Sequence, residues 1–194
     1  MKTRDIAYTT HLAREVWWKR LLNVQLPYRL HLQRLGLGRV LDVGCGVGRN
    51  LAHLRRGGAH VGVDHNPTSI ALAKERGLCA YTLEEFDNLD SELLGRFDTI
   101  LMSHLLEHLT LDEARQIIKR YRGYLQPKGR LVIITPQEAG FRSDPTHITM
   151  MTPIIVYNLG RELGFRVEAQ YSFPFPEWAG SIFKYNEYVA IFRA

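Results

Sequence analysis

Three glycines and two acids carry the first readable chemistry of the chain. In Val40-Leu-Asp-Val-Gly-Cys-Gly-Val-Gly-Arg-Asn-Leu51 a short apolar run turns sharply at Gly44, Gly46 and Gly48 into a helix. Glycines at such a turn let backbone approach a ligand closely and present N–H groups at a helix N-terminus. The next apolar run, Val61-Gly-Val63, ends on Asp64, twenty residues after Gly44. An acid there can accept from both hydroxyls of a ribose. The spacing predicts a nucleoside-bearing cofactor.

Dinucleotide sites use G-x-G-x-x-G, whereas this turn is G-x-G-x-G with Asp42 just before it. A carboxylate beside the turn repels a pyrophosphate but suits a ligand with an amino group. The chain also has no G-x-x-x-x-G-K-[ST] segment for nucleotide phosphates. S-adenosylmethionine (SAM), with a ribose, an α-amino acid and a sulfonium, fits that charge pattern. In these residues the chain resembles the class I SAM-dependent methyltransferases, from about Arg39 to the C-terminus. The resemblance implies cofactor contacts from Asp42, Gly44, Cys45, Gly46 and Gly48 to the methionine part and from Asp64 to the ribose. His65 and Asn66 would meet the adenosine edge, Leu83 and Glu84 the adenine, and Ser103 the region of the methyl group.

The elements that must position these residues alternate along the chain. Strands are predicted at 40–43, 59–63, 78–82, 97–102, 129–134, 165–173 and 186–193, and helices at 48–57, 67–76, 110–125 and 152–164. Pro67, Gly77 and Pro127-Lys-Gly129 stand at the expected starts and stops. Upstream, residues 10–23 have a helical apolar stripe, and Pro27 precedes a second stretch, Tyr28–Leu35, closed by Gly36 and Gly38. The expectation is an α/β, Rossmann-like doubly wound seven-stranded sheet, mainly parallel, with an antiparallel C-terminal hairpin. Residues 1–38 would form a helical lid or substrate segment and residues 39–194 the methyltransferase domain.

The acceptor side is read from the segments after the fourth and fifth strands. No [DN]-P-P-[YFW] motif for amino-group acceptors follows the fourth strand, where the chain has Ser103-His-Leu-Leu. Cys45 and Cys79 lie away from that position, so a cysteine relay is unsupported, and an oxygen nucleophile remains. His104, Glu107 and His108 fall at i, i+3 and i+4, and His147 follows in Arg142-Ser-Asp-Pro-Thr-His-Ile148. Together the four could bind a divalent metal that acidifies a hydroxyl. This pattern is similar to the metal site of small-RNA 2′-O-methyltransferases and some ubiquinone-biosynthesis O-methyltransferases, which carry Glu in place of His104. Without a metal, His147, oriented by Asp144, is the first candidate for a general base and His104 the second; the alternative for both is a loop-bracing hydrogen bond. Trp17, Trp18 and Tyr28 are candidate lid residues over the acceptor, with His108 and Trp178 as further contacts; the Phe173–Gly180 segment walls that pocket or forms a homodimer contact.

Composition sets the outer bounds. The net charge is +5, and its basic excess lies in residues 1–60, where eleven Lys or Arg face only Asp5, Glu15 and Asp42. RNA methylation is therefore the second reading, although no aromatic–basic RNA-binding motif accompanies the charge. A SAM-binding partner protein without turnover is the third. Neither signal peptide nor membrane span is evident, and the two cysteines make no C-x-x-C pair, so a cytoplasmic enzyme acting on a small hydroxylated molecule is expected.

Overall fold

The structure is a computed structural model that describes residues 25–54, 59–89 and 93–194. The helix expected over 10–23, with Trp17 and Trp18, lies outside the described residues. Seven strands form one mixed sheet in the order β3-β2-β1-β4-β5-β7-β6. By compactness the chain divides into two units, Met1–Asp90 and Ser91–Ala194, described in turn below.

In the first unit, β1 (Val40–Val43), β2 (Val61–Asp64) and β3 (Ala80–Thr82) pair in parallel. All residues of β1 and β2 are buried, which is why both read as unbroken apolar runs rather than alternating ones. Helix α1 (Leu26–Arg34) has Pro27 in its first turn, α2 covers Arg49–Leu54, and α3 spans Pro67–Glu75. The start of α3 is doubly fixed, since the Asn66 side chain accepts from the N–H groups of Thr68 and Ser69 and Pro67 sets the first helical φ. His60 braces β1. Its Nδ1 accepts from Val40 N–H at 3.2 Å, so its Nε2 must carry the proton that reaches Leu54 O at 2.9 Å. Burial lowers the pKa of this ring, in keeping with a neutral imidazole.

One helix of this unit is absent from the sequence-based expectation. Leu83–Asp87 forms α4 directly after β3, capped by a reciprocal pair in which Thr82 accepts from Glu85 N–H and Glu85 from Thr82 N–H. The Thr82-x-x-Glu85 spacing is the usual signature of such a box.

In the second unit, β4 (Phe97–Ser103) pairs in parallel with β5 (Leu125–Pro136), and β5 pairs antiparallel with β7 (Glu187–Arg193), which pairs antiparallel with β6 (Arg166–Phe173). The fifth strand begins earlier than the expected residue 129. Leu125 already pairs with Phe97, while the next ladder pair is Thr99 with Arg130, so the intervening turn residues bulge out with Lys128 at φ 63°. Helix α5 (Leu111–Arg122) starts on a Thr110/Glu113 capping box. Helix α6 covers Glu138–Arg142, and α7 (Pro153–Glu162) starts on Thr152 with Pro153 next. Short 3-10 turns occur at Leu106–His108 and Glu177–Ser181.

Helix α7 lies so close to β7 that a Cβ on Gly160 would meet the Phe192 ring at 2.2 Å. Phe192 is fully buried and packs edge-on against Phe165. Forced overpacking of a filled core costs about 1–3 kcal/mol. Gly160→Ala should therefore lower Tm by about 2–10 °C despite the better helix propensity of alanine. An unchanged Tm in a thermal melt would show that the ring has room to move.

Candidate functional site

The glycine turn of the first unit is held from inside. Val63 O accepts from both Gly44 N–H (2.8 Å) and Cys45 N–H (3.1 Å), and Cys45 O accepts from Gly48 N–H (2.9 Å). Gly44, Gly46 and Gly48 all sit at positive φ, between 52° and 78°. Their uses differ. Space is open where a Cβ on Gly46 would stand, whereas one on Gly48 would meet Leu78 Cδ1 at 2.4 Å. Gly46 thus leaves room for a ligand, and Gly48 serves packing. Cys45 is buried in the small cluster of Leu51, Ile70, Ala73 and Ala80, and burial pushes its thiol pKa far up, so it offers backbone rather than sulfur.

Two carboxylates flank this turn. Asp64 is tied by its backbone neighbours, Oδ2 accepting from Gly46 N–H and Oδ1 from Asn66 N–H, each at 2.8 Å. A carboxylate has about four acceptor positions, so this fixes its plane and leaves about two for a ligand. Asp42 is fully buried, and neither of its oxygens has a hydrogen bond of good geometry. Burial raises its pKa to about 7, against a lowering pull from the Asn50 side chain and with the Asp64 charge adding to the rise. His65 is partly exposed, with Nδ1 3.4 Å from Asp64 Oδ1. Asn66 is buried and its Oδ1 is engaged in capping α3. Leu83 and Glu84 occupy the exposed first turn of α4, and Tyr28 is half-buried on α1.

In the second unit the chain leaves β4 through His104, whose φ of 55° is rare for a non-glycine residue. Its N–H is held by Ile134 O at 2.9 Å. The two ring nitrogens face two carboxylates, with Nε2 2.8 Å from Glu187 Oε1 and Nδ1 3.2 Å from Glu107 Oε1. Desolvation opposes a charge on this ring, but the hydrogen bonds and charges of Glu107 and Glu187 outweigh it and raise its pKa to about 10. His104 is an imidazolium whose two N–H groups are both directed at acids.

The other three residues of the expected metal set come together. Glu107, His108 and His147 each offer a ligand atom within 4.8 Å of the others, while His104 is turned away to its acids. The Glu107 backbone makes this possible, since its carbonyl accepts from Ile148 N–H (2.7 Å) and Thr149 N–H (3.1 Å) and so pins the His147 loop to the 3-10 turn. Its side chain is fully buried, and beyond the His104 contact neither oxygen has a hydrogen bond of good geometry. The His147 Nδ1–H donates to Phe141 O at 2.8 Å, leaving Nε2 with its lone pair.

Asp144 does not hold the His147 ring, contrary to expectation. It accepts from the Thr146 N–H (2.9 Å) and hydroxyl (2.7 Å), and these bonds lower its pKa against desolvation. Because the Thr146 hydroxyl spends its proton on Asp144, both Thr146 oxygens face His108 Nδ1 as acceptors, at 3.2 and 3.3 Å. His108 Nδ1 therefore carries the proton and Nε2 the lone pair. Desolvation, with the neighbouring His147, lowers the His108 pKa and keeps the ring neutral.

Comparison with known proteins agrees with this architecture. A methyltransferase-domain family model matches residues 40–129. A ubiquinone biosynthesis O-methyltransferase of Xylella fastidiosa (strain M23) is 35% identical over 118 residues, 58% of this chain and 47% of that protein. The counterpart from Xanthomonas oryzae pv. oryzae (strain PXO99A) is 32% identical over 134 residues, 61% of this chain and 55% of that protein. The chain spans about half the length of the curated relatives it matches. Among solved structures, a SAM-dependent methyltransferase from Archaeoglobus fulgidus superposes with a TM-score of 0.69 at 22% identity, over 86% of this chain and 93% of that one. Residues 40–129 thus match a methyltransferase domain, on a fold shared with SAM-dependent methyltransferases. The Burkholderia thailandensis 1,6-didemethyltoxoflavin-N1-methyltransferase, solved with 1,6-didemethyltoxoflavin and S-adenosylhomocysteine, shares the fold with a TM-score of 0.66 at 23% identity, over 97% of this chain and 85% of that one.

The first unit suits a methyltransferase cofactor in its own chemistry. A buried, unpaired acid (Asp42), an acid with fixed free acceptor positions (Asp64) and an open glycine (Gly46) match an ammonium, a diol and a close backbone approach. Sequence reasoning missed Glu187, the nearer of the two acids at the His104 ring, because it lies 83 residues away with no motif around it. It also missed Thr146, although Asp144-x-Thr146 is an ordinary Asx-turn spacing.

The Asp42 site has a pH signature. An acid whose pKa rises from 3.8 to about 7 on folding keeps its proton where the unfolded chain has lost it. Stability from this group is thus fully present below pH 3.8 and is lost as pH rises to about 7. In thermal melts of the cofactor-free protein, Asp42→Asn should gain on the parent at pH 8 but not at pH 4. Equal differences at both pH values would refute a raised pKa.

Proposed function

We propose that the protein transfers the methyl group of SAM to a hydroxyl of a small acceptor, a sugar unit or an aromatic metabolite, in the cytoplasm. Residues 1–38 would serve as the acceptor-side segment ahead of the transferase domain, 39–194. The observation that carries the oxygen-acceptor reading is the Glu107–His108–His147 cluster, whose ring nitrogens are prepared for one task. Each histidine gives its Nδ1 proton to a backbone carbonyl and presents Nε2, as metal-binding histidines commonly do. Two imidazoles and a buried carboxylate suit Zn²⁺ or another divalent cation with a position left for substrate. When bound, such a cation supplies Lewis acidity that eases deprotonation of a hydroxyl. The ubiquinone-biosynthesis relatives are named as O-methyltransferases, which points the same way.

In this reading Asp64 accepts from the ribose hydroxyls, Asp42 balances the ammonium, and the backbone of Gly44, Cys45, Gly46 and Gly48 shapes the methionine site. His65, Asn66, Leu83 and Glu84 belong to the adenosine side, Asn66 by setting the start of α3. Ser103, at the end of β4, belongs to the methyl side. The acceptor oxygen forms a bond to the methyl carbon as the carbon–sulfur bond breaks, and S-adenosylhomocysteine leaves. In a protein that holds no cation there, His147 Nε2 can instead take the hydroxyl proton, helped by the tautomer that Phe141 O imposes. We assign His104 the part of a fixed cation that neutralises Glu107, since both its nitrogens already face carboxylates. Trp17, Trp18 and Tyr28 remain proposed lid residues. Trp178, 71% exposed, is proposed as an acceptor contact or as part of a contact with a second copy.

Elemental analysis of the purified protein, joined to calorimetry with SAM and turnover before and after chelation, tests this reading. About one divalent ion per chain is expected, lost in His108→Ala and His147→Ala. Turnover of His147→Ala should fall about 10²-fold or more with SAM affinity kept, because a positioned base is worth at least that much. Asp64→Ala should lose about tenfold or more in SAM affinity, since bonds to a charged acceptor are worth about 1.5–3 kcal/mol each. Full turnover in His147→Ala would sink the role given to the cluster, and unchanged SAM affinity in Asp64→Ala the role given to the ribose acid. A metal-free protein indifferent to chelator would leave His147 as a base alone.

A further inference from the structure

Glu187 opens β7, 83 residues beyond His104, yet its Oε1 stands 2.8 Å from His104 Nε2. Both sides of the strand set its position. In the ladders Glu187 faces Pro136 of β5 and Phe173 of β6, and Asn186 O beside it accepts from Gln137 N–H at 3.1 Å. Its side chain is 15% exposed. The His104 backbone needs no such anchor, because its N–H is already held by Ile134 O at 2.9 Å. What Glu187 adds is a fixed direction for the ring.

That ring belongs to the one residue of the i, i+3, i+4 set that stays out of the cluster. His104 Nδ1 is only 3.2 Å from Glu107 Oε1, so the ring stands at the rim of the candidate cation site. A histidine ligates through a ring nitrogen that offers a lone pair, and both nitrogens of His104 are directed at carboxylates. The cluster is thereby left with three protein ligands, Glu107, His108 and His147. Three protein ligands and an open position characterise catalytic zinc sites, whereas four close a structural one. An acceptor hydroxyl needs the open position. Here the two kinds of site differ by one ring, and Glu187 is the nearer of its two holds. We propose that Glu187 is a positioning residue that keeps His104 off the cation, so that one coordination position stays free for the acceptor oxygen. This rests on the cation reading of Glu107, His108 and His147 given above.

Cobalt serves as the probe, because Co²⁺ absorbs visible light weakly in open five- or six-coordinate sites and strongly in a closed tetrahedral one. The whole protein is stripped with chelator and titrated with Co²⁺, then with Zn²⁺ against a chelating dye. The parent should take up about one Co²⁺ with the weak spectrum, and His104→Ala should keep both the ion and that spectrum. Glu187→Ala should turn the spectrum tetrahedral and tighten Zn²⁺ binding by about tenfold, within the range over which outer-shell residues move metal affinity. Glu187→Met, similar in length but without the carboxylate, should do the same and serves if the alanine variant does not fold. Adding His104→Ala to either should reverse both changes. Glu187→Gln keeps an oxygen for the Nε2 proton and should resemble the parent. Calorimetry with SAM, expected to be unchanged, checks that each variant is folded. A carboxylate that only braces the sheet would lower Tm on replacement and leave the spectrum of the bound ion as it was. An unchanged spectrum and Zn²⁺ affinity in both Glu187→Ala and Glu187→Met would therefore overturn the proposal and leave the cation reading standing. A parent spectrum that is already tetrahedral and weakens in His104→Ala would overturn it as well. No uptake of Co²⁺ or Zn²⁺ by the parent or by any Glu187 variant would overturn both.

Discussion

A carboxylate taken out of water without hydrogen bonds costs several kcal/mol, and evolution rarely leaves one in place without a partner to meet it. This protein keeps one fully buried and sparsely paired carboxylate in each unit, Asp42 and Glu107. The surroundings answer the two differently. Burial, with the acid Asp64 as a charged neighbour, raises the Asp42 pKa to about 7. Glu107 instead has the His104 imidazolium at 3.2 Å, itself shared with Glu187. Much of the local architecture serves these arrangements. The strained φ of His104 brings its ring between two acids, and the 3-10 turn that follows exposes the Glu107 carbonyl to the loop carrying His147.

The first unit was largely legible in the sequence because its chemistry is local. Gly44 to Gly48 and Asp64 are set by one strand–turn–helix and the next strand, and their types and spacing follow from backbone geometry alone. What the spacing did not tell is how the turn is closed. Its N–H groups at Gly44, Cys45, Gly46 and Gly48 bond to Val63 O, Asp64 and Cys45 O rather than standing free for a ligand. Nor did it separate the glycines, of which Gly48 answers to Leu78 and Gly46 to open space. The missed helix α4 is a different kind of error, since its Thr82-x-x-Glu85 box was readable from residue type and spacing alone.

The acceptor side was legible only in part, for a physical reason. The i, i+3, i+4 spacing of His104, Glu107 and His108 suggested one helical face, but His104 leaves the strand in a left-handed conformation and the turn beyond it is 3-10. These two facts split His104 from the cluster, and neither has a signature in residue type. His147 joins Glu107 and His108 through backbone bonds from residues 148 and 149, which no side-chain pattern announces. The hydrogen bond that orients His147 comes from the Phe141 carbonyl, and any residue supplies a carbonyl.

The start of β7 shows how a sheet can serve several such needs with consecutive residues. Asn186, fully buried, receives the Phe175 N–H and donates to Phe175 O, Pro176 O and Gln137 Oε1, fixing the loop that follows β6. Glu187 holds His104, and Tyr188 lines a cleft with Gln170. Adjacent strand residues point to opposite faces, so a slip of one residue would exchange the acid and the tyrosine and break both arrangements at once. The strand is protected against that slip by being internal. It pairs along its whole length with β5, where Pro136 faces Glu187 and Thr135 faces Tyr188, and with β6, where Phe173 and Ser172 take the same places. An antiparallel strand inserted between its two neighbours thus does more than finish the sheet, because its register fixes which face receives the charge and which the hydroxyl.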